Sequence, residues 1–520
     1  MRHSVDPSAL AGRDGQPRLF GFTVAIGALA FVTVLAVTVL GKGALFALLP
    51  VILFVVLYAL LKLPLRVPLM VMMFIGLTFE NPGDVPAAGL WKSPLYDLGK
   101  LLLAQLKHSF GSGALVMTGS DLIILLLVCI YLGRRVSGST LDIRGSTPSP
   151  KPLVNAAVIC IVAALVWWAY GLARGGANRF ALWQVHHVIY LPLMFLFMQA
   201  VVPGHEHYRS FARLILWAAG IKSVLAIWLR NQFPEAEYAT THHDSMLLAL
   251  AACMVAAHWL ERPTFRALVR CVPLLALLLF GMIANDRRLV WPELGVAGLF
   301  MFVLSRRTKF KVAIVRGVLF SLPFVLGYVA VGWGSGSGIF APVGIVRSMV
   351  DSEVDKSSEW RDLENFNLMT TVKAHPVAGT GFGHPYIEAI KLPSVLDEYE
   401  LEPYLPHNSL LGLWAYTGLV GFTLIWSMLA VTLYFAARAY RMAAEPFDRA
   451  AALSSFSMIM IYMVHLYGDM ALGTWTSIYL VGFAMVVAGK TAVKVGAWRG
   501  FRPRRAEPVV VLPQRPPRLW

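Results

Sequence analysis

The fold that this sequence predicts is all-α: a polytopic transmembrane helix bundle of about 12 to 14 spans with one large extracytoplasmic loop. Three observations predict it. The 520 residues are 57% hydrophobic and only 14% charged, with mean hydropathy +0.64, more apolar surface than a soluble chain of this length can hide from water. Apolar runs near the roughly 20 residues needed to cross a bilayer recur along the chain. Lys and Arg concentrate in alternate connections between those runs. A net charge of +16 would suggest nucleic acid in a soluble protein. Here the placement of the charges encodes orientation instead, so the expected surrounding is a lipid bilayer and no nucleic-acid partner is expected.

The runs lie near 20–40, 44–61, 67–79, 119–133, 153–173, 183–202, 211–230, 245–260, 269–284, 289–304, 314–333, 407–434, 451–468 and 474–489. The first follows a basic, polar start and lacks a small-residue cleavage site at its end, so it reads as a transmembrane helix rather than a signal peptide. The third and fourth are short enough to be interfacial or re-entrant, and removing both leaves every later orientation unchanged. Cys129, Cys160, Cys253 and Cys271 all sit inside apolar runs, which points to packing rather than to disulfides or a thiolate metal site.

With the N-terminus inside, the basic clusters fall on one side: Lys62 and Arg66; Arg134, Arg135, Arg144 and Lys151; Arg262, Arg266 and Arg270; Arg306, Arg307, Lys309 and Lys311; Arg438, Arg441 and Arg449; and a tail from Lys490 to Arg518. About 30 of the 45 basic residues are then cytoplasmic. Both termini are expected in the cytoplasm, with the large loop on the opposite face of the membrane. The chain divides into N-terminal helices over 1–333, a large periplasmic loop over 334–406, C-terminal helices over 407–489 and a basic tail over 490–520. The loop holds Arg347, Lys356, Arg361, Lys373 and Lys391 against about eleven Asp and Glu, so it is net acidic, opposite to the cytoplasmic connections. Residues 145–152 read as a flexible linker and the Pro-rich tail as disordered.

Charges that break the orientation rule need another explanation. Asn285-Asp-Arg-Arg288 lies at the outer end of one helix and the start of the next. Paired arginines there suit a phosphate or pyrophosphate held by bidentate, charge-assisted bonds, although an ordinary polar turn with Asp286 neutralising one of them would look the same. Glu293, five residues on, is placed to orient Arg288. Lys222 lies mid-helix, where an unpaired charge is costly. It reads either as a second donor-phosphate contact or as half of a buried pair.

The outer loop carries Trp360-Arg361, His375-Pro376, Gly379-Thr-Gly-Phe-Gly383 and, at the mouth of the next helix, Pro406-His-Asn-Ser409. Pro406 fixes the approach of the chain, and Asn408 or Ser409 can cap the helix. His407 is thereby held at the bilayer surface, where an imidazole can take a proton from a hydroxyl near neutral pH. His375 reads as a structural element of the loop. Thr241-His-His-Asp244 hints at metal ligands, but adjacent histidines point apart and no third cluster is evident, so no metal is expected. His186 and His187 read as packing residues, and His465 with Asp469 as a satisfied polar pair on one helix face. The run of Asp351, Glu353 and Asp355 reads as a solvated acidic surface.

Taken in order, these motifs resemble the O-antigen ligase and O-antigen polymerase superfamily, multi-span glycosyltransferases that use a polyprenyl-pyrophosphate-linked glycan as donor. The resemblance covers roughly 285–421; the first half of the chain adds only a compatible number of helices. It implies His407 as the base that activates the acceptor sugar hydroxyl, and Arg361 with one of Arg287 and Arg288 as the arginines on the donor pyrophosphate. The doubled arginine departs from the single one expected, so which of the two faces the donor stays open. Also implied are an inverting, metal-independent transfer without cofactor, an acceptor glycan and, for a polymerase, a chain-length regulator as partner. Within the family, a polymerase that joins repeat units and a ligase that moves finished glycan onto a lipid core or a protein both stay open, with the extended net-acidic loop leaning toward polymerase. A flippase for lipid-linked sugars is the rival from another class, but it would place its charges at mid-membrane rather than at the outer boundary.

Overall fold

A computed structural model of the chain describes residues 58–498 except 59, 61, 80–98, 100–101, 104–116, 140, 143–146, 237, 336, 341–342, 345–346, 348–355, 393–402, 470–471 and 473. The expected span over 20–40, most of that over 44–61, the acidic run at Asp351, Glu353 and Asp355, and the tail beyond 498 lie outside these residues. All of the described regular structure is helical. In chain order the helices are α1 (Arg66–Thr78), α2 (Gly119–Val136), α3 (Lys151–Ala173), α4 (Asn178–Val201), α5 (Tyr208–Gln232), α6 (His242–Glu261), α7 (Phe265–Asn285), α8 (Val290–Leu304), α9 (Lys309–Gly332), α10 (Lys356–Ala374), α11 (Ser409–Met442), α12 (Pro446–Gly468) and α13 (Trp475–Lys494). Among the described residues, nine helices are long and apolar enough to cross a membrane. Every run expected from 67 onward corresponds to one of these thirteen helices.

The chain divides into two units. One comprises residues 1–69 and 125–141; within it the Arg134 guanidinium donates to the carbonyls of Leu60 at 2.6 Å and Leu63 at 2.9 Å. The other comprises 70–124 and 142–520 and contains the main bundle. There α12 packs on α6, α8, α11 and α13, while α3 packs on α4 and α11, and α5 on α7. The most enclosed helix is α13, with 89% of its apolar window buried; the corresponding window of α9 is 0% buried. Phe320, Phe324 and Val331 of α9 are exposed, an apolar surface suited to lipid.

Polar contacts sort the connections of the main bundle into two ends. At one, the Arg449 guanidinium and the Tyr440 hydroxyl both donate to Glu261, and the Arg306 amide donates to Tyr440 Oη at 3.0 Å. Lys494 pairs with Asp448 at 2.8 Å, and Lys490 donates to the Val202 and Pro203 carbonyls just past the C-terminus of α4. These are basic connections that the sequence places on one side. At the other end, Asn285 accepts from Thr240, Arg230 pairs with Asp286 at 3.1 Å, and Ser409 donates to the Asp469 carbonyl. Although only 15 residues long, α8 connects the two ends, with Leu289 against Gly468 and Arg306 bonded to Ala443.

Three local differences from expectation have plain causes. The described part of the expected linker, 147–152, is docked rather than free: the Thr147 amide donates to Pro203, Ser149 is buried, and α3 already begins at Lys151. α13 runs on to Lys494, past the expected start of the tail, because the carbonyls it reaches satisfy Lys490. The expected loop between α9 and α11 contains the 19-residue helix α10, which is too polar to read as a span.

That loop is clipped into the bundle. α11 is broken at Gly418, whose φ of 61° and ψ of −173° belong to a region open essentially to glycine. The break frees amides and carbonyls of α11, and the loop takes them up. Thr380 and Gly381 donate to Ala415 and Tyr416, while Leu419 and Val420 donate to Pro376 and Val377. The loop also reaches α3, where the Trp167 indole donates to Ala378 at 2.7 Å and the Phe382 amide donates to Trp167. Gly381, at φ 85°, lies against the backbone of Gly171 with no room for a Cβ. Gly381→Ala is therefore expected to destabilise by more than about 2 kcal/mol, read as a lowered thermal midpoint of the purified protein. The Gly-x-Gly motif is thus a seating device for the loop.

Candidate active site

α10 presents one face to the start of α11. Residues 360, 364 and 368 are four apart and therefore stack along that face. Leu368 and Val372 pack with Ala415, Tyr386 and Leu392, with Trp360 against the same cluster. This packing sets the register that places Glu364 against His407. Glu364 is 1% exposed and accepts the His407 amide at 3.1 and 3.2 Å; its Oε1 lies 3.5 Å from the ring Nδ1. The Trp360 ring meets His407 edge-on, with centroids 4.8 Å apart. One residue on, the Asn408 carbonyl oxygen accepts from Leu411 at 3.0 Å, capping α11, while its amide donates to Asn365 at 2.9 Å. His407 is thus held by backbone, ring and cap together.

Arg361 is half-buried, on the same stretch of α10 as Trp360 and Glu364. Across the site, Arg287 is 9% exposed. Its guanidinium stacks on the Tyr238 ring at 3.1 Å from the centroid, meets His242 Nε2 at 2.7 Å and donates to the Thr240 carbonyl at 3.3 Å. The turn that aims it begins at Asp286, in the left-handed region at φ 57°, which caps α7. His242 Nδ1 in turn faces the Asp469 carboxylate at 3.6 Å and lies within electrostatic reach of both Arg287 and Arg361. Asp469 connects back to the start of α11 through Ser409, which donates to its carbonyl at 3.0 Å. A histidine and two arginines from the loop, the α7–α8 turn and the start of α11 thereby converge at one end of the bundle. Such a set can take a proton from a hydroxyl and hold a dianionic leaving group.

Not every expected site residue joins this set. Arg288 is exposed where its neighbour is buried. Lys222 is 2% exposed and donates to Asp244 at 3.2 Å, one residue from His243. Glu293, expected to orient Arg288, instead bonds His465 Nδ1 at 2.5 Å; it is fully buried whereas Arg288 is at the surface. His242 and His243 do point apart, but a further pair, His465 and Asp469, comes to meet them. Glu364 and Tyr238 have no motif to mark them, and His242 stands in the Thr241-His-His-Asp244 run, which pointed to no role at this site. The only sequence signal for Glu364 is its spacing of four from Trp360 and Leu368.

These features define an integral membrane protein with arginine and histidine side chains gathered among the connections at one end of the bundle. Residues 273–426 match the family described as O-antigen ligase. No curated protein shows a match to the chain. The match supports a glycan-transfer function at the membrane. The matched segment contains Arg287, Arg361 and His407 together with the loop between them.

Proposed function

We propose that the chain is a polysaccharide polymerase of the O-antigen ligase and polymerase superfamily. It takes a glycan from a polyprenyl-pyrophosphate carrier and joins it to a sugar hydroxyl of an acceptor glycan. The site end faces outward from a bacterial cytoplasmic membrane, with the basic connections and both termini inside. The observation that carries the reading is the seating of His407 against α10, the helix that bears Arg361, with Arg361 and Arg287 both within electrostatic reach of His242.

With Nδ1 directed at Glu364, Nε2 carries the imidazole lone pair and removes the proton from the acceptor hydroxyl as it attacks the anomeric carbon. Arg361 and Arg287 stabilise the charge that builds on the departing pyrophosphate, a task for which planar forks are better suited than ammonium groups. Attack opposite the leaving group inverts the anomeric centre, and the arginines supply the positive charge without a metal at the reacting atoms. Lys222 acts through Asp244 rather than on the donor. The net-acidic loop favours a neutral glycan acceptor over a phosphorylated lipid core, which is the ground for polymerase over ligase. A chain-length regulator is the partner such a polymerase would use.

The test is transfer by purified protein in nanodiscs with a polyprenyl-pyrophosphate-linked repeat unit and no added divalent cation. Lengthened glycan made by wild type and not by His407→Ala supports the reading. Attachment to a lipid core without lengthening makes the enzyme a ligase, and donor binding with no turnover on any acceptor overturns the reading in favour of a transporter. Glu364→Gln, which keeps the shape and removes the charge, is expected to lower kcat about tenfold with little change in KM, because it orients the base without touching substrate.

A further inference from the structure

We propose that His243, His465 and Asp469 form a divalent-cation site, matched best to zinc, that ties α6 to the end of α12 behind the active site. Among the described residues, these three are the group of metal-ligating side chains that converges, with their donor atoms all within 4.8 Å of one another. His243 Nδ1 and His465 Nε2 face each other at 3.2 Å. Two imidazoles on one tetrahedral zinc, each at about 2.0–2.1 Å, stand about 3.3 Å apart, so this pair already has ligand spacing. The Asp469 carboxylate is 4.0 Å from His465 Nε2, within reach of a small side-chain rotation.

The surroundings supply what a metal-bound histidine needs. His465 Nδ1 donates to Glu293 at 2.5 Å, both groups being fully buried, and this bond fixes the tautomer that leaves Nε2 as a ligand. A carboxylate behind a histidine is the usual outer shell of a zinc site. Glu293 Oε2 is buried with no partner among the described residues, and so is His242 Nδ1, which faces Asp469 at 3.6 Å. The cluster therefore brings two imidazole nitrogens and a carboxylate together in a buried place, with a second carboxylate behind them. Lys222 offsets Asp244 nearby. Burying carboxylates is costly, and a divalent ion bonding all three donors would offset the charge of Asp469. Two imidazoles and one carboxylate, with no thiolate, suit zinc or a neighbouring transition metal rather than calcium or magnesium.

The ion would do mechanical work. Asp469 holds Ser409 through its carbonyl, and Ser409 is two residues from His407. Pinning Asp469 to His243 and His465 fixes the end of α12 against α6 and, through Ser409, the start of α11.

The site is tested without substrate, so its failure and failure of the transferase reading are separate. Full-length protein in detergent is incubated with zinc chloride, desalted and assayed for metal content by mass spectrometry. The cobalt form is scanned for visible absorption. About one zinc per chain in wild type and at least a fivefold lower content in His243→Asn are expected, with cobalt bands near 500–650 nm that the variant lacks. Asp469→Asn is the second variant should His243→Asn fail to elute as a monodisperse species. Equal metal content in wild type and a folded variant, or wild type with neither retained zinc nor cobalt bands, overturns the proposal and leaves a shared proton as the link between the two imidazoles.

Discussion

His407→Ala is expected to lower glycan transfer by about 10²- to 10⁴-fold while the protein stays folded and still binds the donor. The direction follows from how the residue is mounted. Its amide bonds to Glu364, Trp360 covers one side of the ring, and the cap of α11 is provided by Asn408, the next residue. Truncating the imidazole removes none of the cap and leaves the amide bond to Glu364 in place, so the loss should appear in kcat. The measurement is initial rate against donor and acceptor concentration, with the elution profile as a folding control. Transfer within about twofold of wild type would remove His407 from the reaction and leave the site as a binding surface.

Arg287→Lys is expected to cost about 10²-fold in kcat, and Arg361→Lys a similar amount, whereas Arg288→Ala should change the rate by less than about threefold. Doubling the arginine in sequence gives two equivalent candidates, and burial separates them. Arg287 is packed on Tyr238 and bonded to His242 and Thr240, while its neighbour is exposed. A lysine at 287 retains a charge but cannot span the Thr240 carbonyl, the His242 ring and a phosphate with one planar fork. Rates of all three variants with the same donor decide the matter. An Arg288→Ala defect as deep as that of Arg287→Lys would move the donor contact to the outer side of the turn.

The helices were legible because a bilayer demands long apolar runs, and the run lengths alone locate most of them. The alternation of basic connections was legible for a related reason, and it reappears as the clustering of Glu261, Arg449, Arg306 and Lys494 at one end. α10 was not legible, since a helix lying outside the membrane has no such length requirement. Its helical spacing of Trp360, Glu364, Leu368 and Val372 mixes apolar and charged types. The buried polar cluster was legible only in fragments. His243 and His465 are 222 residues apart, and Glu293 and His465 are 172 apart, so no spacing rule joins them. Assigning Glu293 to Arg288 chose the neighbour nearest in sequence, whereas the side chain turned toward the bundle interior, where a buried carboxylate needs a donor.

The clip between loop and bundle also sets the order in which the chain can be completed during synthesis. Trp167 of α3 waits for Ala378, 211 residues downstream. At roughly 5–20 residues per second, that interval is about 10–40 s. Throughout it, α3 is already made while the strand of loop that will lie along Gly171 is still on the ribosome. The broken start of α11 follows later still and cannot satisfy its own freed amides until residues 376–381 are in place. The last third of the polypeptide therefore acts as the keystone of an arch whose first stones were laid long before, and a truncation just upstream of it should leave helices that insert but never lock.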